Sequence, residues 1–530
     1  MAHSLVTVNM GQEDASLSSN GLSGKLNLAE AIMAKPSTAT PTGLDWTDPD
    51  DPENPQNWSL ANKSLHVAVP SFFCLSVSIA SSLYVAGIPE ITTSFNVSST
   101  VALLGLSFYV LGLAFGPVLA APISESLGRR AVYWVSLVLF SLFIAGSGLS
   151  RTFVSLVVCR FFAGFFGGSV LSVISGTNAD IWAPLQRAPS SALMALSTAM
   201  GPSLGPVIGG FLAESQALDW RWTQWVVLMF AGMNVLGLLT QRETYKKVIL
   251  LRRLKKTENS STSPSNSQPP SGPRFSARLR LLLVVTLTRP LRMLATEPII
   301  FFFSLYSAFT VSLLFIFFAA FPLVFARQYH FSPHQTGLTF LSICVGCILG
   351  AIIHVILDRT NYRPRVLASL ARGGRGVIPP ENRLYGAMVG GFGISIGLLM
   401  LGWGAEKRVS WVVSVLGGVP VGFGTILVFL SSAMYMVDTY AQATAASALA
   451  ANGFVRYLLA AGLPLGAPAM VNNLGIGWAC TVLALISVAM LPIPWILFRY
   501  GPRIRSRSQF ETTLFDTENP SESSFTQYRK

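Results

Sequence analysis

Long runs of apolar residues alternate with short polar segments along this chain from residue 65 to residue 498. Each run carries almost no charge and is about 20 residues long, which suffices for a helix to cross the hydrocarbon core of a bilayer. We count twelve runs, at 65–88, 101–122, 131–150, 154–178, 190–212, 222–240, 298–322, 336–357, 385–404, 409–435, 446–470 and 476–498. Backbone groups in lipid must bond to one another, so the pattern predicts an all-α membrane protein with twelve transmembrane helices.

The order of motifs in the first half of the chain recurs in the second half. Three pairs carry the repeat: Gly116 with Gly350, Glu125 with Asp358, and Asp180 with Asp438. The offset is 234 and 233 residues in the first two pairs and 258 in the third, so one insertion around 359–383 accounts for the change. Parallel repeats of this kind predict two homologous six-helix bundles, an arrangement typical of one class of secondary transporters.

Polar segments divide the chain around these two bundles. The predicted division is a disordered cytosolic arm at 1–64, bundles at 65–240 and 297–498, a basic cytosolic loop at 241–296 and a cytosolic tail at 499–530. The arm is rich in Ser, Asn, Asp and Pro, which favours disorder. The loop is expected to tether the bundles and to lay an amphipathic helix on anionic lipid, with a regulatory partner site as the alternative.

Charge supports the membrane assignment and fixes its orientation. Only 12% of residues are charged and 51% are hydrophobic, which is too apolar for an ordinary soluble surface. The net charge of +13 comes from 30 Lys and Arg residues in loops and tails predicted inside the cell, against five outside. This positive-inside pattern places both termini in the cytosol and makes a nucleic-acid partner unnecessary.

The sequence contains no recognisable set of catalytic residues. The sequence lacks a nucleophile with a base, a glycine-rich phosphate loop and a metal cluster, so we expect no catalytic residue, cofactor or metal. All five cysteines fall in apolar runs, which argues against a disulfide framework. Asn96 begins an Asn-Val-Ser acceptor in the first outside loop and is predicted to be glycosylated.

The turn between the second and third runs carries more charge than a simple connection needs. Together with its counterparts it predicts a cytosolic gate formed by Gly116, Glu125, Gly128, Arg129, Arg130, Asp180, Asp358, Arg363 and Asp438. The acids would pair with the arginines when the outer side is open. The alternative is a plain positive-inside anchor.

Two residues inside the runs are candidates for proton coupling. Arg160 lies about six residues into the fourth run, where a charged group costs about 3 kcal/mol on insertion scales. His354 in the eighth run belongs to the residue type whose unperturbed pKa is about 6.5. A snorkelling arginine and a packed structural histidine are the alternatives.

The fifth run carries glycines and prolines at regular spacing, in GPSLGPVIGG. These residues, which predict close helix packing and bending at a gate, are Gly201, Pro202, Gly205, Pro206, Gly209 and Gly210. A second glycine- and proline-rich segment, at 462–468 in the eleventh run, is its expected counterpart. The expected substrate-cavity residues are Tyr109, Tyr306, Phe309, Asn452 and Arg456.

These motifs resemble the major facilitator superfamily and, within it, the fungal twelve-span drug:H+ antiporter family 1. The resemblance covers about 60–500 and rests on PISESLGRR (122–130), RFFAGFFGG (160–168), GPSLGPVIGG (201–210), RETY (242–245), PENRL (380–384) and the segment 435–456. It implies the major facilitator fold, two bundles that rock around a central cavity, and antiport driven by protons. Relatives export antifungals, polyamines and fungal secondary metabolites.

The expected function is proton-coupled efflux of a hydrophobic organic compound, such as a secondary metabolite, toxin or xenobiotic. The runs contain almost no Asp or Glu, so a neutral or weakly anionic substrate fits better than a polyamine. Nutrient uptake by the same fold and a membrane sensor without transport are the alternatives. We expect a monomer in the plasma membrane, with the vacuolar membrane as the alternative.

Overall fold

Twelve helices of the computed structural model are long and apolar enough to cross a membrane. The structure describes residues 45–46, 48–215, 217–260, 288–374, 376–510 and 512–513. The twelve helices overlap the twelve apolar runs one for one, and no strand occurs in the described ranges beyond a single β-bridge between Tyr440 and Thr512. The prediction of an all-α membrane protein is confirmed.

The spanning helices form two sets of six. In the first half they are α1 (Leu60–Leu83), α2 (Leu104–Leu127), α3 (Arg129–Gly148), α4 (Phe153–Ile181), α5 (Arg187–Glu214) and α6 (Trp222–Leu239). In the second half they are α7 (Pro298–Phe321), α8 (Leu341–Leu357), α9 (Tyr385–Glu406), α10 (Gly418–Thr439), α11 (Gln442–Leu474) and α12 (Ile476–Met490). A basic helix, Lys246–Ser260, lies between the sets.

Local signals explain where several helices begin and end. The hydroxyl of Ser59 caps α1 and that of Thr152 caps α4, each accepting a bond from a backbone N–H in the first turn. Gly128, with φ +99°, is the single residue between α2 and α3, and Gly475, with φ +79°, is the single residue between α11 and α12. Side chains disfavour such backbone angles, so glycine permits both one-residue turns.

The same small-residue packing occurs in both halves. A β-carbon on Gly112 or Gly116 of α2 would collide with the backbone of α4. A β-carbon on Gly346 of α8 would collide with the backbone of α10, and one on Gly350 with the Ile426 side chain there. The repeat seen in the sequence is therefore also a repeat of helix-to-helix contact.

The last part of the predicted disordered arm has a defined position. Within 45–59, Asp51 and Glu53 accept hydrogen bonds from Arg253 of the basic helix, at 2.8 and 2.7 Å. Those bonds hold the pKa of Asp51 below its usual range and raise the pKa of Arg253. The acidic residues of the arm therefore bind a basic residue of the central loop. The composition of the arm alone did not predict this contact. Residues 1–44 lie outside the described residues.

The cytosolic tail also contacts the second half. A helix, Pro492–Arg505, follows α12, and beyond it the backbone N–H of Gln509 donates to Glu297 at 3.0 Å. The N–H of Thr513 donates to the carbonyl of Thr439 at 3.0 Å, where α10 ends. Residues 261–287 of the central loop and 514–530 of the tail lie outside the described residues.

Candidate functional site

A small cavity lies between the two halves. Helices α1, α2 and α5 line it from the first half, and α7, α10 and α11 from the second. Its lining is apolar apart from a few hydroxyl groups and one cation; the polar members are Ser78, Ser81, Thr198, Thr425, Tyr457 and Arg456. No carboxylate of the described residues lines it. The cavity therefore suits a largely hydrophobic molecule that lacks a positive charge.

Arg456 is the charged residue of this cavity. Its guanidinium carbon lies 4.6 Å from the ring centroid of Phe429 and 4.9 Å from that of Tyr457. No carboxylate in the described part of the chain lies within ion-pair distance of it. Aromatic faces stabilise a cation without neutralising it, so Arg456 keeps a positive charge available to a ligand.

The other expected cavity residues lie outside this lining. Tyr109 donates from its hydroxyl to the carbonyl of Val77 at 2.7 Å, and Asn452 donates to the carbonyl of Phe303 at 3.5 Å. The Tyr306 hydroxyl lies beside Gly391 of α9. Phe309 is buried in the core. Their contact with a substrate stays a prediction.

Arg160 lies directly behind the cavity wall and is fully buried. Its guanidinium donates to the carbonyl oxygens of Ala80, Ser81 and Gly105, at 2.8, 3.3 and 3.2 Å. The rings of Tyr84 and Tyr109 flank it, with centroids 4.6 and 4.3 Å from the guanidinium carbon. The cation is thus solvated by carbonyls and aromatic faces instead of by a carboxylate.

A change of helix type supplies one of those carbonyls, that of Ala80. Helix α1 ends at Leu83 and continues as a 3-10 turn over Tyr84–Gly87. In an α-helix the N–H of Tyr84 would bond to Ala80, but it bonds to Ser82 instead. The carbonyl of Ala80 is then available to Arg160. Ser81 lines the cavity and Arg160 does not. Arg160 therefore binds the cavity wall from behind, through the carbonyl of Ser81.

The first half has an ion-pair cluster around Arg129 at its predicted cytosolic end. The Arg129 guanidinium donates to Asp180 at 3.3 Å and to the Ser124 hydroxyl at 2.5 Å, and it packs over the ring of Tyr245. Asp180 also accepts from the hydroxyl of Thr244 at 3.3 Å. The cluster therefore ties α3 to the end of α4 and to the segment after α6.

Glu243 takes the place in this cluster that the sequence suggested for Glu125. Its carboxylate accepts bonds from the backbone N–H groups of Arg129 and Arg130, at 2.8 and 3.4 Å. It lies against Gly128, where a β-carbon would collide with it. Glu125 is exposed and has no ion-pair partner among the described residues. An acid bound at the first turn of α3 is the favoured arrangement for a helix N-terminus.

The second half has the matching cluster around Arg383. Its guanidinium donates to Asp358 at 2.5 Å and to Asp438 at 2.8 Å, and it lies 3.2 Å from the ring centroid of Tyr362. Tyr362 donates from its hydroxyl to Asp438 at 3.0 Å. Asp358 and Asp438 are thus brought together, by an arginine that the sequence analysis did not select.

Arg383 replaces Arg363 as the partner of these acids. Arg363 begins the connecting helix Arg363–Ala371, and no ion pair joins it to Asp358 in the described residues. The extra residues of the second half precede Arg383, so its offset from Arg129 is close to the 258 residues of the later motifs. PENRL, which contains Arg383, was the signal that could have identified it.

His354 lies one turn before Asp358 and is 5% exposed. Its Nε2 has no hydrogen-bond partner among the described residues. A buried ring nitrogen without a partner is unusual, because burial removes its water as well. This position is compatible with a proton-carrying role, which stays a prediction.

The halves meet at the predicted cytosolic end as well as around the cavity. Leu185, between α4 and α5, packs against Val366, Leu370 and Ile378 of the second half. Above it, Ala192 and Ala195 of α5 pack in a cluster with Ala351, Ile426 and Leu430. Apolar contact therefore closes the predicted cytosolic side in this structure.

The glycines of α5 pack closely, whereas those of α11 do not. β-carbons on Gly201 and Gly205 would collide with α1, and one on Gly209 with Ala86 in the 3-10 turn that follows α1. β-carbons on Gly462 and Gly466 would meet nothing within 4 Å. The two segments therefore pack differently, because the α11 glycines face open space, and a shared role for them stays a prediction.

Two further residues of α5 reach the other half. Gly210 lies against Pro333 and His334, and the carbonyl of Pro206 lies against Gly337. Pro202 lines the cavity.

Asn96, the predicted glycosylation position, is exposed at the left-handed end of the helix Ile88–Phe95, and its modification stays a prediction.

The comparison with known families now decides what kind of protein this is. The family model of the Major Facilitator Superfamily matches residues 71–464. The chain belongs to the major facilitator superfamily. The superfamily consists of membrane transporters, so the chain is a transporter and not an enzyme, and it carries a small molecule across a membrane.

Relatives within the superfamily include fungal exporters. The chain is 36% identical to Efflux pump radE of Floropilus chiversii, over 91% of this chain and 88% of that protein. It is 34% identical to the citrinin biosynthesis cluster transporter mrr1 of Monascus ruber, over 91% and 96%. It is 37% identical to Polyamine transporter 4 of Saccharomyces cerevisiae, over 91% and 75%. The predicted resemblance to fungal efflux transporters is confirmed.

Solved structures of the superfamily share the fold at low sequence identity. The proton:xylose symporter XylE of E. coli is 14% identical with a TM-score of 0.60, over 84% of this chain and 97% of that one. The human organic anion transporter MFSD10 is 20% identical with a TM-score of 0.52, over 82% and 99%. These likenesses bear on the fold alone.

Proposed function

We propose that this transporter exports a neutral or weakly anionic, largely hydrophobic organic molecule in exchange for protons. The observation that carries the proposal is the cavity between the halves, which is apolar, lacks a carboxylate and contains Arg456. A cation entering it would meet like charge, whereas an enol, phenol or carboxylate group would find a partner. The efflux relatives support the outward direction. We propose a monomer in the plasma membrane as its working form.

A polyamine is the second candidate substrate, because one relative is named for polyamine transport. Binding a polycation in a low-dielectric cavity calls for buried carboxylates. The acids that approach the membrane interior, Asp180, Asp358 and Asp438, already pair with Arg129 and Arg383 at the cytosolic end. This arrangement supports a hydrophobic substrate over a polyamine.

Arg160 is our proposed coupling residue. It does not line the cavity, but it donates to the carbonyl of Ser81, which does. It also joins α1 to α2, so a change in its bonds would alter the shape of the wall. A permanent cation at this position disfavours a second positive charge in the adjoining cavity. His354 remains the candidate for carrying the proton.

Transport by purified protein in liposomes tests the proposal. With an imposed pH gradient, we expect uptake of a hydrophobic weak acid into inside-out vesicles and none of spermine. Arg456→Glu should reduce weak-acid transport by about tenfold or more, because it reverses the charge that Arg456 places in the cavity lining. Arg503→Gln, at an exposed cytosolic arginine, is the control and should transport normally. Spermine transport that survives Arg456→Gln would favour the polyamine assignment.

The compound itself is best identified in cells. Untargeted metabolite profiles of wild-type and deletion strains, inside the cells and in the medium, should differ in a hydrophobic compound that accumulates inside the deletion strain. Equal profiles with altered growth on a nutrient would favour uptake instead.

A further inference from the structure

His334 of the second half and Glu214 of the first half form an ion pair across the outer face. Glu214 ends α5, and His334 lies in the first turn of the short helix Pro333–Thr339 that leads into α8. The His334 Nδ1 contacts the Glu214 carboxylate, and the ring stacks on Phe211 with centroids 5.7 Å apart. Charge distribution assigns this end of both helices to the outside of the cell.

Close backbone contacts fix the pair in position. Gly210 lies against the backbone of Pro333 and His334, and Gly337 lies against the backbone of Pro206. Without side chains on the two glycines, α5 and the short helix approach closely on both sides of the ion pair. The outer face cannot open without separating His334 from Glu214.

No other charged group in the described residues competes for this pair. On the elements that pack against the short helix, Arg327 donates to Asn472 and the Tyr329 hydroxyl donates to the carbonyls of Gly404 and Val409. His330 is exposed on the preceding turn. Beyond α5, Asp219 pairs with Arg221 and Glu90 accepts from the backbone N–H of Trp220; these three charged groups are already engaged.

We infer that His334 and Glu214 form an external proton-binding site that holds the outer face closed. The attraction between them needs an imidazole that carries a proton and a carboxylate that does not, and histidine is the side chain whose charge changes most readily near neutral pH. The Ser332 hydroxyl lies 2.9 Å from the same ring nitrogen and orients it. When the imidazole loses its proton, or the carboxylate gains one, the ionic attraction is lost.

The site is distinct from the export chemistry. Its proton sits at the outer surface, where both side chains are partly exposed, at 30% and 47%. A proton bound there closes the outer face and returns to the same side when that face opens. The pair therefore senses external acidity and does not carry a proton across the membrane.

Distances between spin labels on the two halves test the inference directly. The labels replace Ser94 and Ser410, which are exposed at the outer ends of the first and second halves, in protein whose five buried or half-buried cysteines are removed. In lipid nanodiscs, the ratio of outer-closed to outer-open protein should be about two- to five-fold higher at pH 5.5 than at pH 7.5, the range for a partly exposed ion pair. It should fall again at pH 3.5.

Variants separate this pair from other titrating groups. His334→Gln and Glu214→Gln should remove the dependence on pH, and His334→Lys should keep the outer face closed at both pH 5.5 and pH 7.5. His330→Asn is the matched control and should behave as the parent protein, since asparagine tolerates the φ of 56° found there. A parent protein with equal ratios at the two pH values would overturn the inference. So would His334→Gln that retains the dependence, or His330→Asn that loses it.

Discussion

Arg129 and Arg383 occupy equivalent positions in the two halves: Arg129 begins α3 and binds the aspartate near the end of α4, and Arg383 precedes α9 and binds the aspartate near the end of α10. Arg129 donates to Asp180 at 3.3 Å and Arg383 donates to Asp438 at 2.8 Å. Each arginine also packs over a tyrosine ring, that of Tyr245 or Tyr362. Breaking one partner of such a buried pair costs more than the pair contributes, because the other charge stays buried.

Arg383→Gln should therefore impair transport far more than Arg363→Gln. Removing Arg383 leaves Asp358 and Asp438 close together without a cation, which costs about 3–5 kcal/mol for a buried pair. We expect transport to fall by more than tenfold, and Arg363→Gln to remain within about twofold of wild type. Initial rates in vesicles, normalised to protein in the membrane, measure both. Equal loss in both variants would contradict the assignment.

Glu243→Gln should likewise be more harmful than Glu125→Gln. Glu243 accepts from the N–H groups of Arg129 and Arg130 at the start of α3, whereas Glu125 is exposed. Losing the charge at a helix N-terminus costs about 1 kcal/mol or more in a partly buried site. Thermal stability in detergent should fall for Glu243→Gln and stay unchanged for Glu125→Gln. A larger loss of thermal stability in Glu125→Gln than in Glu243→Gln would instead support the predicted role of Glu125 in the gate.

The contrast between these residues shows which features the sequence predicts. The twelve helices follow from local hydropathy, which needs no knowledge of the fold. Glu243 lies 114 residues from Arg129, and the path of α4, α5 and α6 brings them together. No local pattern contains that information. Gly350 and Asp358, which align the two halves, both precede the insertion. They do not show where the insertion ends, and Arg363 was selected for that reason.

The cavity was the hardest part to predict. Arg456 was identified because a charge in an apolar run is conspicuous, and it does line the cavity. Tyr109 and Tyr306 lie on helices that also line the cavity, but the rotation of α2 and α7 about their axes places the two side chains against Val77 and Gly391 instead. Apolar runs with weak periodicity leave the rotation of a helix undetermined. Phe429 and Tyr457 were therefore missed.

Gly205→Leu should abolish transport, and Gly462→Leu should not. A side chain at 205 would collide with Ser82 and Leu83 of α1, whereas 462 faces open space. Overpacking costs about 1–3 kcal/mol and displaces helices. Transport per molecule in the membrane measures the effect, with Gly205→Ala expected to be milder than Gly205→Leu. A tolerant Gly205→Leu would show that α5 and α1 separate freely.

Arg160→Ala should abolish proton-driven export, and Arg160→Lys should lose most of it. Lysine keeps a charge but lacks the planar fork that reaches Ala80, Ser81 and Gly105 together. Both variants should reach the membrane. Substrate counterflow, which needs no proton gradient, should survive in Arg160→Lys. If counterflow fails as well, Arg160 serves substrate binding, and if both functions survive it is structural.

Asp51→Asn should release the acidic arm, while Asp50→Asn should leave it in place. Asp51 is 5% exposed and binds Arg253, whereas Asp50 is exposed. Hydrogen exchange of 45–59 should speed up several-fold in Asp51→Asn. Because the pKa of Asp51 is lowered, the contact persists above about pH 3.9, the ordinary aspartate value, and is lost as pH falls through the lowered value. Loss of protection near pH 6 would be inconsistent with this ion pair.

The unequal glycine segments of α5 and α11 give the two halves different mechanical stiffness. In α5 the glycines lock the helix against α1, so the first half should move as a nearly rigid block. Each of the two helices contains two prolines, but in α11 Gly462 and Gly466 face open space, so this helix should bend at a lower energetic cost than α5. Elastic deformation during the transport cycle is then concentrated in the second half, which also carries Arg456.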